Sequence, residues 1–416
     1  MTEQSEKIES SRVHSIPWRE YFPWLCLFRT LGLALRVRLL MLATGGLLLT
    51  TLGWWVLAYL FSSSPEVAAF ANGFKSCAWR GDASGVNGLF IPADDAVGPH
   101  LGHMPAMPFR DTWWKLSSPV RMMFSQGVTF VSFMFLMLCT VWSVLVWAFF
   151  GGAISRIAAL AMGREETISA SLATRFVKAN YLSYIGAPLM PLLGVFLVGL
   201  PLVIGGLFLR SDFMAVLVAL AWPLMLVGGL LIAMFLLGLL FGWPLMFAAV
   251  STEGADSFGA LSQSYSFVNQ RPLHYLGYAV VATLLGMLGA TFVEYFASAV
   301  IHLATWMASW GSGNVRMLEL TMPVMTDETL LSAKMIWFWN GLVRVVALSF
   351  VFSHFWVAST TIYLLLRRDT DGREMDEVQV DDGGDGSESF GLPPVEIDAQ
   401  GVVVVAKETS GTRETL

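Results

Sequence analysis

Three ionisable side chains stand inside long apolar stretches of this chain: Glu294, Arg344 and His354. A charge or imidazole in hydrocarbon is costly to keep, so each is a functional candidate. Glu294 shares a spacing-of-four ridge with Ala282, Gly286, Ala290 and Ser298, the small-residue row that lets helices approach closely. Arg344 and His354 lie on a seam with Asn340, Ala347, Val351, Ala358 and Thr361, in alternating steps of four and three. Both rows are expected to face protein. At about 1.5 Å per residue, Glu294 stands about 29 Å from Tyr275, and Arg344 about 34 Å from Arg367. An ion pair between them is therefore within reach, and would act as a clamp between helices. His354 falls about 20 Å from the same end, with no second carboxylate at its depth for a proton relay.

Other chemistry is sparse. Pro99-His100-Leu101-Gly102-His103-Met104-Pro105 puts two imidazoles three apart without the third ligand a zinc site needs. The three cysteines, Cys26, Cys77 and Cys139, make no disulfide framework. No paired carboxylates, and no nucleophile with its base, converge at one depth. The expectation is a protein with no catalytic residues, metal, cofactor or nucleic-acid partner.

The elements that must position these residues are helices in lipid. Hydrophobic residues make up 55% of 416 positions, charged residues 13%, and mean hydropathy is +0.63; a soluble domain carries about 25% charge. A spanning helix needs roughly 20 apolar residues. Spans are expected at 39–61, 126–154, 184–209, 223–247, 275–298 and 337–366, with prolines 188, 191 and 201 predicting kinks in the third. The 38 residues before the first are too polar and too long for a secretory leader, so that span is read as retained. The stretch 213–250 has no charge and nearly the length for two crossings. The charge pattern favours one, with 213–222 at the outer interface.

Lys and Arg gather in alternate segments: Lys7, Arg12, Arg19, Arg29, Arg36 and Arg38, then Arg156, Arg164, Arg175 and Lys178, then Arg271, then Arg367 and Arg368. By the positive-inside rule both termini are cytoplasmic, in the inner (plasma) membrane. The domains are then a cytoplasmic arm and interfacial helix at 1–38, a membrane domain at 39–368 with an outer loop at 62–119, and a tail at 369–416. The tail holds 13 acids against 3 bases, a balance of −10 that leaves +4 for the rest. It reads as a solvated extension able to meet a protein partner, with Val402–Val405 as transient strand. Trp113, Trp114 and Lys115 read as an interface anchor before the second span. Gly238 and Gly242 form a small packing motif within or between chains.

Two connecting segments align at an offset of 91 residues: Glu165 with Asp256, Ser171 with Ser262, Phe176 with Phe267, Tyr184 with Tyr275. Each has a one-sided apolar face, and an acid at its expected start, where the helix dipole favours it. Pro272 follows Arg271 where a missing N–H costs nothing. With the aromatic, arginine-bearing stretch 18–38, the plan is all-α: six transmembrane helices as three hairpins, each preceded by an amphipathic interfacial helix.

The elbow Glu253, Gly254, Asp256, Ser257, Phe258, Ala260, Leu261, Ser262, Ser264, Tyr265, then Arg271-Pro272, resembles one in uncharacterised six-span bacterial inner-membrane proteins. These are loosely similar to the membrane domain of some glycerophosphodiester phosphodiesterases. The resemblance implies a fold and a membrane, not a reaction, because the metal site of the soluble phosphodiesterase domain has no counterpart. The sequence points to a non-catalytic organiser of membrane lipid or partner proteins. The alternative is a small-solute or lipid transporter with its site near Glu294, Arg344 and His354.

Overall fold

The computed structural model describes residues 23–64, 66–67, 74, 108–125, 127–321, 331–379, 395–397 and 403–405. Cys77, His100, His103, the first residues of the N-terminal arm and the acidic stretch 381–386 lie outside them.

The fold is an all-α polytopic membrane bundle. After a 3-10 turn at Pro23–Leu27 come α1 (Phe28–Ala34), α2 (Val37–Leu60), α3 (Pro108–Leu116), α4 (Ser118–Met123), α5 (Phe130–Gly163) and α6 (Ala170–Ala179). There follow α7 (Tyr181–Phe208), α8 (Asp212–Leu220), α9 (Trp222–Glu253), α10 (Ser257–Gln270), α11 (Pro272–Ser312), α12 (Asn314–Thr321) and α13 (Leu331–Asp371). Helices α2, α5, α7, α9, α11 and α13 are long and apolar enough to cross a membrane. Residues 213–250 make one crossing, with α8 as a separate short helix before it. Helix α7 runs unbroken through Pro188, Pro191 and Pro201.

The last two spans exceed their expected limits. Helices α11 and α13 each have 41 residues, about 60 Å of helix at 1.5 Å per residue, against a hydrocarbon core of about 30 Å. A hydropathy window finds the greasy section but not where helical bonding stops. Helix α11 stops only at Gly313, whose φ of +80° a side chain would resist. Beyond the expected end of α11, Trp306 and Trp310 stand exposed with their rings 5.5 Å apart, as in an interfacial aromatic belt.

Both ends of the six-span bundle differ. At the end where the described bundle begins, at Pro23, and finishes, at Val378, here the terminal end, α5, α9 and α13 are buried on every side over 151–162, 244–252 and 349–367. Helices α1, α6 and α10 pack around them. One tryptophan from each of the three return helices meets at the centre. The Trp356 ring lies 5.9 Å from Trp147 and 5.5 Å from Trp243. The space exists because Gly151 has no side chain; a Cβ there would come within 2.7 Å of the Trp356 ring. At the far end the faces of α7, α9 and α11 are exposed leucine, phenylalanine and methionine.

The compact bundle runs to Val378, beyond the limit at 368 that charge suggested. Val378 is buried beside Gly163, and Asp369 accepts a 2.8 Å hydrogen bond from the Tyr278 hydroxyl. In the separate unit 379–416, β1 (Val395–Ile397) pairs antiparallel with β2 (Val403–Val405), where a transient strand was expected.

Candidate functional site

The elbow residues act as joints. Asp256 caps α10, its Oδ1 accepting from the Gly259 N–H at 2.9 Å. Arg271 and Pro272 open α11 at its exposed surface. Ser171 and Ser262 are exposed, and the Ser171 hydroxyl meets that of Ser169, the cap of α6. Glu165 departs from expectation: it does not begin a helix. It sits after α5 in the left-handed region, at φ +59°, and its carboxylate pairs with Arg29 at 3.0 Å. The helix starts five residues later, at Ala170, because the Ser169 hydroxyl can accept from the Leu172 N–H.

What the elbows bury is equivalent at the offset of 91: Ala173 and Ser264, Phe176 and Phe267, Tyr184 and Tyr275. Phe176 lies under the Arg156 guanidinium at 3.8 Å, and Phe267 lies against Tyr363 at 5.4 Å. Arg156 is 3% exposed and donates to the Ser251 carbonyl at 2.7 Å; the Ser251 hydroxyl meets that of Tyr184 at 2.8 Å. Nearby, Glu253 accepts from the Tyr363 hydroxyl at 2.8 Å, from Gln263 at 2.7 Å and from the fully buried Arg367 at 3.4 Å. Arg373 stands 3.6 Å from the same carboxylate. These charges, of which Arg156 and Arg367 read from sequence as topology markers and Glu253 as part of an elbow, lock the terminal end.

Glu294 and Arg344 are half-buried and neither is isolated. They lie on α11 and α13, which run antiparallel in contact. Gly289 faces the Phe350 ring, so five residues along α11 and five back along α13 bring Glu294 level with Val345, next to Arg344. His354 is buried. Its Nε2 stands 3.4 Å from the Thr30 hydroxyl of α1, the Phe350 ring is 5.9 Å away, and Nδ1 has no hydrogen-bond partner among the described residues. Beside it the Ser353 hydroxyl donates to the Ala34 carbonyl at 2.9 Å. His354 thus docks the N-terminal arm, and these three residues form no single site.

The cavity is elsewhere, on residues that sequence reasoning passed over. Helices α3 and α4 do not simply anchor the second span at the interface; they enter the bundle. The Thr112 hydroxyl reaches the Val351 carbonyl of α13 at 3.4 Å, and the Trp113 indole donates to the Leu240 carbonyl of α9 at 2.8 Å. The Lys115 ammonium lies 5.9 Å from the Phe352 ring. At about 1.5 Å per residue, Leu240 and Val351 lie roughly 27–30 Å from the far ends of their helices. Irregular backbone is tolerated at such depth only where protein or a cavity surrounds it.

Between this pair and α5, α7 and α9 lies a cavity of about 290 Å³, near the small end of ligand-pocket sizes. Of its wall, Trp147, Pro188 and Phe247 are buried, Arg121 and Leu236 are half-buried, and Phe124 is exposed. Nearly all of the wall is apolar. Polar atoms come from Arg121, Ser117, Thr140 and Ser143, and from the Trp147 and Trp243 indoles, whose N–H groups have no partner among the described residues. Among the described residues the one charge in the wall is Arg121. Its guanidinium stacks on the Trp114 ring at 3.4 Å and donates to the Trp114 carbonyl at 2.8 Å and the Ser117 hydroxyl at 3.3 Å.

The signal in the sequence was there: a Trp- and Arg-bearing segment with prolines 108 and 119, too short to span and placed directly before a span. Gly238 packs under the Tyr265 ring of α10, so that small-residue position joins helices within one chain. Among the described residues no group of three His, Cys, Asp or Glu side chains could hold a metal ion. No protein family, curated protein or solved structure matches the chain.

Proposed function

We propose that this protein is a non-catalytic, lipid-organising component of the inner (plasma) membrane that holds a membrane lipid between its re-entrant helices α3–α4 and the spans α5, α7 and α9. One observation carries this reading: an apolar cavity open on one side, in a molecule whose surrounding solvent is lipid. Hydrocarbon chains are the ligand such walls suit, since a polar solute would leave its hydrogen-bonding groups unmet there. Arg36, Arg38, Arg164, Arg368 and Arg373, all at the terminal end of the bundle, support cytoplasmic termini under the positive-inside rule. The helices α1, α6 and α10 are then elbows at the cytoplasmic interface, and the acidic tail is free to meet a partner protein.

The test is purification in native lipid followed by mass spectrometry of the intact protein. A lipid retained one to one, and lost when Val144→Trp fills the cavity, is the expected outcome. A wild-type protein that carries no lipid above the background of the detergent ends this reading.

A transporter is the second reading, favoured by Glu294 standing level with Arg344 on adjacent helices. An intramembrane ion pair there would serve as a clamp or a gate. Glu294→Gln is expected to lower the melting temperature in detergent, and unchanged melting in both Glu294→Gln and Arg344→Gln would remove the pair.

A further inference from the structure

We propose that the occupant of the cavity is an anionic phospholipid from the surrounding bilayer, with an acyl chain inside the chamber and its phosphate on Arg121. This rests on the lipid-holding reading and adds the class of head group. The argument starts from the arginines. Arg29, Arg110, Arg164, Arg316, Arg367, Arg368 and Arg373 each lie within 4 Å of a carboxylate. Among the described residues Arg121 and Arg38 do not; Arg38 and Arg156 meet backbone carbonyls, and of these three Arg121 alone lines the cavity. It meets a ring, a carbonyl and a hydroxyl, all on its own helix pair.

Its place makes that difference matter. Met122 and Met123, next in the chain, pack against a buried cluster whose members include Trp54 and Ala58 of α2 and Phe135, Leu136 and Cys139 of α5; the α5 members lie about 8–14 Å from the far end of that helix at 1.5 Å per residue. A guanidinium at that depth thins the bilayer around it and draws in water or a counter-anion. It is also held ready for one. Stacking on Trp114 fixes the plane of the fork, and two of its N–H groups hold it there. The remaining edge has the geometry for two hydrogen bonds to a phosphate. Apolar wall and cation line the same cavity, so a ligand must bring both a chain and a negative charge. Lipids of the bilayer carry both, and a net-negative one leaves no cation of its own beside Arg121.

The test uses the full chain reconstituted in vesicles of phosphatidylcholine with one-fifth phosphatidylglycerol, then released gently for native mass spectrometry. Wild type is expected to retain one lipid, with the ratio of phosphatidylglycerol to phosphatidylcholine among the bound molecules raised roughly tenfold over the vesicle's own ratio, the worth of one well-made charged contact. Arg121→Gln should still retain a lipid but in the mixing ratio, and Val144→Trp should retain none. Retention of both lipids in the mixing ratio by wild type overturns the proposal and leaves the lipid-holding reading standing. Undiminished enrichment in Arg121→Gln, or a fatty acid in place of a phospholipid, also overturns it. No retained lipid of either kind overturns both. Because the wild-type ratio decides by itself, a variant that fails to fold does not shield the idea.

Discussion

The two ends of the bundle are built from the same apolar alphabet and use it oppositely. At the terminal end, leucine, alanine and phenylalanine of α5, α9 and α13 are close-packed, and every strong charge in that core has a defined partner: Arg367 with Glu253, Arg156 with the Ser251 carbonyl. At the far end, Leu224, Leu226, Leu230 and Met234 of α9 and Leu288, Phe292 and Phe296 of α11 stand exposed. There they match a solvent as apolar as themselves and gain little from contact with one another. Rigidity therefore belongs to the terminal end, and the cavity with its re-entrant helices lies where the spans have room to part.

The largest way to break this contrast is Glu253→Ala. The Arg367 side chain is 1% exposed, so losing its carboxylate strands a buried cation and also frees Tyr363, Gln263 and Arg373. Breaking a buried pair in this manner costs about 3–5 kcal/mol, and the melting temperature in detergent should fall accordingly. The matched change at the far end, Glu319→Ala, removes an exposed partner of Arg316. Melting within error of wild type is expected there, and a loss as large as that of Glu253→Ala would refute the division into a stiff end and a soft one.

Next in size is the aromatic centre. Trp356→Ala deletes the ring shared by Trp147, Trp243 and Phe247, and such truncations cost about 3–5 kcal/mol when the void cannot collapse. Leu224→Ala, 73% exposed on α9, removes a contact that lipid replaces. Its melting temperature should stay close to wild type in lipid nanodiscs. Equal losses for both would mean that the far end is packed against something other than lipid.

Much of this was legible in the sequence, and the exceptions have physical causes. Six spans and the elbow equivalence of Phe176 with Phe267 follow from hydropathy and period, which lipid and helix geometry enforce locally, and one crossing over 213–250 follows from the charge pattern. The depth of α3–α4 does not follow, because Arg110, Asp111, Lys115 and Arg121 give that segment the polarity of a surface loop. Only the neighbours Leu240 and Val351 reveal that it is inside. Arg156 and Arg367 misled in the other direction: from sequence they read as solvated markers of orientation, yet each is buried, its partner supplied by an element more than ninety residues away. Long-range pairing leaves no periodicity to read. The span ends at 163, 253 and 371 were missed for a related reason, since the helices continue past the hydrocarbon into a protein interior that hydropathy alone cannot tell from loop.

The smallest effect tests the joint between α5 and α6. Glu165 holds a left-handed conformation that costs a non-glycine residue about 1–2 kcal/mol, and its ion pair with Arg29 is open to solvent on both sides, with side chains 57% and 40% exposed. An exposed pair is worth about 0–1 kcal/mol. Glu165→Gly loses the pair and relieves the backbone, so it should melt within a degree or two of wild type or slightly above. Glu165→Ala loses the pair and keeps the strain, so it should melt lowest of the three. The ordering carries the test: glycine no higher than alanine, with both well below wild type, would mean that the carboxylate, not the turn, fixes how the chain leaves α5, and that even this solvent-facing joint belongs with the rigid end of the molecule.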